Sequence, residues 1–141
     1  MLRHNTSITS ISLSSNNINY KGCLAISYAL LKNTSLTSID LFNNKIGAEG
    51  ADGAISIANS LLKNTSITSL NLAYNNIGEA GDRALVIMLL HNTSITSLNF
   101  YNQYIGSTFI QNIIMGNVNY KKCRINIVMY YNIYINVLKL S

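Results

Sequence analysis

Few side chains in this sequence could do chemistry, and their spacing keeps them apart. The two histidines, His4 and His91, are the natural candidates for proton transfer or metal binding. They fall at matching places of a recurring unit, three units apart, and at about 4.8 Å or more per strand step they are too distant to share an ion. The five acids, Asp40, Glu49, Asp52, Glu79 and Asp82, fall mostly in stretches that read as loops and helix starts, where a carboxylate favours the helix dipole. No Cys, His and carboxylate set has metal-ligand spacing, and no glycine-rich phosphate loop is present. The sequence therefore implies no catalytic residue, no metal and no cofactor, and predicts a non-enzymatic protein.

Two cysteines, Cys23 and Cys123, make no disulfide framework. Cys23 aligns with Ala54 and Asp82 in later units and reads as a packed thiol in a reducing compartment. The triplet Asn-Thr-Ser, at 5–7, 33–35, 64–66 and 92–94, matches a glycosylation acceptor. Its recurrence at one bend favours a structural reading, since small polar residues suit a turn from helix to strand. The first residues carry no apolar run of signal-peptide length, and no window offers the roughly 18 apolar residues of a membrane span. A cytoplasmic location follows, with delivery into a host cell left open.

The elements that carry these residues are set by a repeat. Asn-Thr-Ser begins at Asn5, Asn33, Asn64 and Asn92, spaced by 28, 31 and 28 residues. Each copy leads into the same apolar frame: Ile8, Ile11, Leu13, Asn16, Ile18, then Leu36, Ile39, Leu41, Asn44, Ile46, then Ile67, Leu70, Leu72, Asn75, Ile77, then Ile95, Leu98, Phe100, Gln103, Ile105. Alternating apolar pairs such as Ile39 and Leu41 predict short strands with one buried face. The Asn three residues later sits where the chain turns inward, and its amide can satisfy backbone groups stranded there. Asn16, Asn44 and Asn75 are thus expected to stack as a ladder. An Ile-Gly step follows at 46–47, 77–78 and 105–106, and the period shifts towards 3.6. Leu24, Ile26, Leu30 and Leu31 read as one helix, and Ala84, Leu85, Met88 and Leu89 as another. Lys32, Lys63 and His91 are expected at helix C-termini, where a cation favours the dipole.

The 28-residue period and the motif Asn-x-Ile-Gly-x-x-Gly, matched fully by residues 75–81, resemble the ribonuclease-inhibitor type of leucine-rich repeat, the type of NOD-like receptors. The resemblance covers residues 5–106 well and 107–141 poorly. It implies an α/β solenoid, a curved horseshoe segment with parallel strands on the concave side and helices on the convex side. The repeats fall near 5–32, 33–63, 64–91 and 92–115, giving an array over 1–115 and a basic, Ile/Tyr/Asn-rich extension over 116–141.

The pattern breaks in three places. The second repeat is longer by three, most simply around Ala51-Asp52-Gly53. In the fourth, Gln103 replaces the ladder Asn. At the start, Leu2-Arg3-His4-Asn5-Thr6-Ser7 matches the closing phrase Leu89-Leu90-His91-Asn92-Thr93-Ser94, as if the chain opened on the last turn of a missing helix. An uncapped solenoid shows its core and strand edge to water, so a fragment, a truncated gene product, or a chain capped by another copy of itself is expected. The extension reads either as an edge strand or hairpin covering the last repeat, or as an aggregation-prone tail.

Charge narrows the partners. The net charge is +5, but residues 1–120 balance six basic against five acidic side chains, and Lys121, Lys122, Arg124 and Lys139 supply the rest. No phosphate-binding stripe follows from that distribution, which argues against nucleic acid. The loops after the strands hold no Arg, and Arg83 falls within a helix, so the arginine of a GTPase-activating repeat protein has no counterpart here. What remains is a protein-binding surface on the strand side. Its outward positions are mostly small and polar, with Phe42, Tyr74 and Tyr101 standing out as aromatic anchors beside Asp40, Asn71 and Asn99. The simpler alternative for Phe42 and Tyr74 is packing between neighbouring strands. Self-association of a vestigial fragment through its ends is the second functional reading, and a regulator of the GTPase-activating type a distant third.

Overall fold

A computed structural model describes residues 2–99 and the short strand at 126–127. The apolar frame sets the order of elements: β1 (Ser10–Ser12), α1 (Tyr20–Leu30), β2 (Ser38–Asp40), α2 (Asp52–Leu61), β3 (Ser69–Asn71), α3 (Gly78–His91), β4 (Ser97–Asn99) and β5 (Asn126–Ile127). All strands join one parallel sheet in chain order. Its register is the repeat alignment itself: Ile11, Ile39, Leu70 and Leu98 lie opposite one another. A parallel neighbour can be reached only by a long crossover, usually a helix, which is why each unit alternates the two elements. Packed helices need about 8–10 Å of width and paired strands about 4.8 Å, so the stack bends with its strands inside.

The core lies between the sheet and the helices. Leu36, Ile39, Leu41 and Ile46 of the second repeat are buried completely or nearly so, as are Ile67, Leu70, Leu72 and Ile77 of the third. On α1, Cys23, Ser27, Ala29 and Leu30 are buried, with Cys23, Ser27 and Leu30 at i, i+4 and i+7 along one face. Leu24 and Leu31, read with Ile26 and Leu30 as one helix, stand in water with Tyr28 on the outer side. The helix is apolar nearly all round, so its inner face cannot be read from periodicity alone. The helices α1 and α2 end before Lys32 and Lys63, which lie in the following turns, whereas His91 does close α3.

Two ladders of asparagine hold the units together. In the expected one, Asn44 accepts from the Asn16 and Ile18 amides at 3.0 and 2.9 Å through Oδ1, while its Nδ2 donates to the Leu13 and Leu41 carbonyls. Asn75 repeats this, donating to the carbonyls of Leu41 and Leu72. The Asn16 side-chain amide donates to the Ser14 carbonyl of its own unit. The second ladder is built from the Asn-Thr-Ser triplets. Asn33 donates to the carbonyls of Leu2 and Asn5, Asn64 to those of Leu30 and Asn33, and Asn92 to those of Leu61 and Asn64. Each Oδ1 meanwhile accepts from the amides two and three residues ahead. With Asn33 and Asn64 buried and their amide nitrogens engaged, the triplets act as structural turns in the folded chain.

Glycines close the stack at the loops. A Cβ on Gly47 would lie 1.9 Å from the Asn76 carbonyl oxygen, and Gly78 takes a φ of +74°. The three extra residues of the second repeat, expected around Ala51–Gly53, belong to the entry loop of its helix. Gly53 occupies the same tight helix-packing place as Gly22 and Gly81, so the additional length falls in the loop between Ile46 and Gly53, ahead of α2. Leu2–His4 form a single 3-10 turn packed on α1. The Leu2 carbonyl accepts from Asn33 as the helix-end carbonyls of Leu30 and Leu61 accept from later units, so this turn stands where a helix end would. The expected fourth helix, and the extension apart from β5, lie outside the described residues; β5 itself pairs with β4.

Candidate partner-binding face

Strand pairing brings the outward residues into rows. Ser12, Asp40, Asn71 and Asn99 form one, and Ser10, Ser38, Ser69 and Ser97 another. Asp40, Asn71 and Asn99 are half-buried, and the first two partly serve the fold. Asp40 accepts from the Phe42 amide at 2.9 Å and from the Ser12 hydroxyl at 3.3 Å, and Asn71 accepts from the Ala73 amide at 3.1 Å. Both fix the exit of their own strand. Tyr101 lies outside the described residues.

At that exit the aromatics meet. The Phe42 and Tyr74 rings stand edge to face with centroids 5.2 Å apart and planes at 61°. The packing alternative is therefore realised for this pair, yet Tyr74 remains 59% exposed. Its backbone is unusual, with φ at +59°. Ser15 and Asn43 occupy the same turn position in earlier units with φ at +58° and +52°, and Asn17 and Asn76 lie nearby at +57° and +51°. Left-handed backbone suits Asn and costs a bulky residue about 1–2 kcal/mol. The Asn43 amide donates to the Ser15 hydroxyl at 3.0 Å. Together with Lys45 these side chains line a shallow polar hollow of about 390 Å³ beside Tyr74. This left-handed column was not read from the sequence; the paired asparagines at 16–17, 43–44 and 75–76 carried its signal, because Asn tolerates positive φ.

The residues considered for chemistry stay dispersed. His4 is exposed near one end, while a ring nitrogen of His91 lies 2.9 Å from the Ile87 carbonyl at the end of α3. Cys23 is buried against α2, and burial pushes its thiol up to about 12, so it is protonated and inert at neutral pH. Asp82 is buried at the equivalent place on α3. Arg83, on the helix side, pairs with Glu79. Among the described residues no group of His, Cys and acidic side chains is arranged to hold a metal, and no helix is long and apolar enough to cross a membrane.

Comparison with known proteins agrees with this architecture. No curated protein matches the chain. Among solved structures, leiomodin-1 actin-binding site 2 superposes with a TM-score of 0.72 at 28% identity, covering 81% of this chain and 66% of that one. The chain thus spans a little under two thirds of the neighbour's length. The family model described as "Leucine Rich repeat" matches residues 4–27, 32–58 and 63–86, a little over half of the sequence and the same three units that the ladders tie together. The chain belongs to the leucine-rich repeat family.

Proposed function

We propose that this chain is a non-enzymatic interaction module that binds a protein partner through the strand side of its array. The observation that carries the reading is Tyr74, an exposed aromatic held by Phe42 in left-handed backbone. A strained and exposed side chain of this size is what a surface kept for contact would retain. Aromatic anchors of fixed orientation lose little entropy on binding, which is why they concentrate interface energy. Asp40, Asn71 and Asn99 supply a polar rim, and Tyr101 is the third aromatic anchor of the reading.

The solved neighbour is itself titled an actin-binding site, so actin is the first partner to test. Binding is measured by co-sedimentation and by titration against labelled monomer, using the full chain and the triple variant Phe42→Ser, Tyr74→Ser, Tyr101→Ser. Wild-type binding lost in the variant, with circular dichroism unchanged, supports both the face and the partner. Retained affinity in a folded variant overturns the face. Absence of wild-type binding removes actin, and the same pair of proteins is then compared in crosslinking from cell extract.

A further inference from the structure

We infer that the left-handed turn column is a saccharide site, taking a short pyranose chain in which a sugar carries a carboxylate. The site is the hollow of about 390 Å³ lined by Ser15, Asn17, Asn43, Lys45, Tyr74 and Asn76. Its middle lies on the second repeat with a unit on either side, so neither end of the chain shapes it. It shares Tyr74 with the strand-side reading above but does not rest on that reading. The turns hold two kinds of asparagine. The buried ones, Asn44 and Asn75, commit their amides to the carbonyls of Leu13, Leu41 and Leu72. Their neighbours Asn17, Asn43 and Asn76 are exposed, as is Lys45. Among the described residues the side chains of Asn17, Lys45 and Asn76 make no hydrogen bond, and Asn43 makes one, to Ser15 at 3.0 Å. Positive φ accounts for Asn at 17, 43 and 76, but not for Tyr74 at +59° or for Lys45, whose φ is negative.

Spacing and chemistry say what the hollow fits. Backbone pairing continues past the strands, with the Ser15 amide donating to the Phe42 carbonyl and the Asn43 amide to the Ala73 carbonyl, both at 2.9 Å. The turn side chains therefore repeat at the strand step of about 4.8 Å. One pyranose unit is about as long as that step. An extended peptide presents same-side groups about every 6.6 Å and falls out of step. Each Asn amide offers a donor and an acceptor together, which suits a pair of adjacent hydroxyls. The negative face of the Tyr74 ring, steadied by Phe42, attracts the polarised C–H groups on the flat side of a sugar. Apart from that ring the wall is polar, so an apolar ligand finds little to bury against. Lys45 is the one charge among the lining residues and no acid stands with it, so a carboxylate is its match. Turn and ladder hold these groups in place before a ligand arrives, which lowers the entropy lost on binding.

NMR titration of the full chain with cellotriose and with the β-1,4-linked trimer of glucuronic acid tests this. Both trimers should bind, the acidic one about three- to fivefold tighter at low salt, as an exposed ion pair allows. Lys45→Gln should abolish that preference. Tyr74→Asn removes the ring but suits the left-handed turn, and it should weaken both trimers by at least about tenfold. Asn43→Gly combined with Asn76→Gly keeps the backbone free to take positive φ and should weaken both trimers as well. That double variant leaves Phe42 and Tyr74 in place, so lost saccharide binding with retained protein binding separates this site from the strand-side reading. If one variant fails to fold, the others decide. A wild-type chain that binds neither trimer at millimolar concentration overturns the proposal. So does undiminished binding by folded Tyr74→Asn or by the folded double variant, or a preference for the acidic trimer that survives Lys45→Gln.

Discussion

The first repeat and the second are written in nearly the same letters and live in different environments. Leu13 and Leu41 follow the same strand, and Asn16 and Asn44 the same turn, yet only the later member of each pair is enclosed. Stability in such an array resides in the interface between units more than in the unit. The half of the first repeat that faces the second is already interior, as Cys23 demonstrates. The half that faces away is surface.

Substitution can break this contrast, and the core should show it most strongly. Leu41→Ala removes a fully buried side chain and should cost about 4 kcal/mol, whereas Leu13→Ala should cost roughly 1–2 kcal/mol. Equal losses in urea unfolding would mean that the first repeat is covered in solution. The ladder gives a smaller difference. Asn44→Ala strands carbonyls and amides of two repeats and should cost about 3 kcal/mol, against less than about 1 kcal/mol for Asn16→Ala.

Cys23 sharpens the comparison from the enclosed side of the same repeat. Its thiol is raised from 9.0 to about 12, so the unfolded chain ionises there first. Above pH 9 the unfolded state holds fewer protons than the native one, and stability falls with rising pH through the window from about 9 to about 12. Alkylation by iodoacetamide at pH 8 should be negligible in the native chain and rapid in urea; comparable rates would place the thiol at the surface. The smallest effect belongs to the 3-10 turn. Arg3 donates to the Tyr28 hydroxyl at 3.0 Å and lies over its ring, so Arg3→Ala should cost about 0.5 kcal/mol and speed amide exchange in residues 2–5 alone.

The fold could be read from the sequence because the repeat repeats its apolar frame. Spacings of 28 and 31 gave the strands, and the register followed from aligning Ile11, Ile39, Leu70 and Leu98. Side-chain direction was harder to read. The triplet asparagines were visible as turn formers, but their backward reach to the preceding repeat depends on a partner 28 to 34 residues away. The inward face of α1 was not legible, because Leu24 and Tyr28 make its outer side apolar too. For the candidate face, the rows of Asp40, Asn71 and Asn99 followed from strand alternation. The edge-to-face meeting of Phe42 with Tyr74 required the left-handed turn, which no apolar period encodes.

The direction of the triplet ladder has a consequence for how the protein is made. The side-chain amides of Asn33, Asn64 and Asn92, and the hydroxyls of Ser35, Thr37, Thr68, Ser94 and Thr96, donate to carbonyls of the unit preceding their own. A chain leaving the ribosome lays down those acceptors before it lays down the donors that need them. In the triplet ladder, each new unit therefore emerges beside acceptors already laid down, whereas the amides of Asn16, Ile18 and Ile46 wait for the ladder asparagine of the unit that follows.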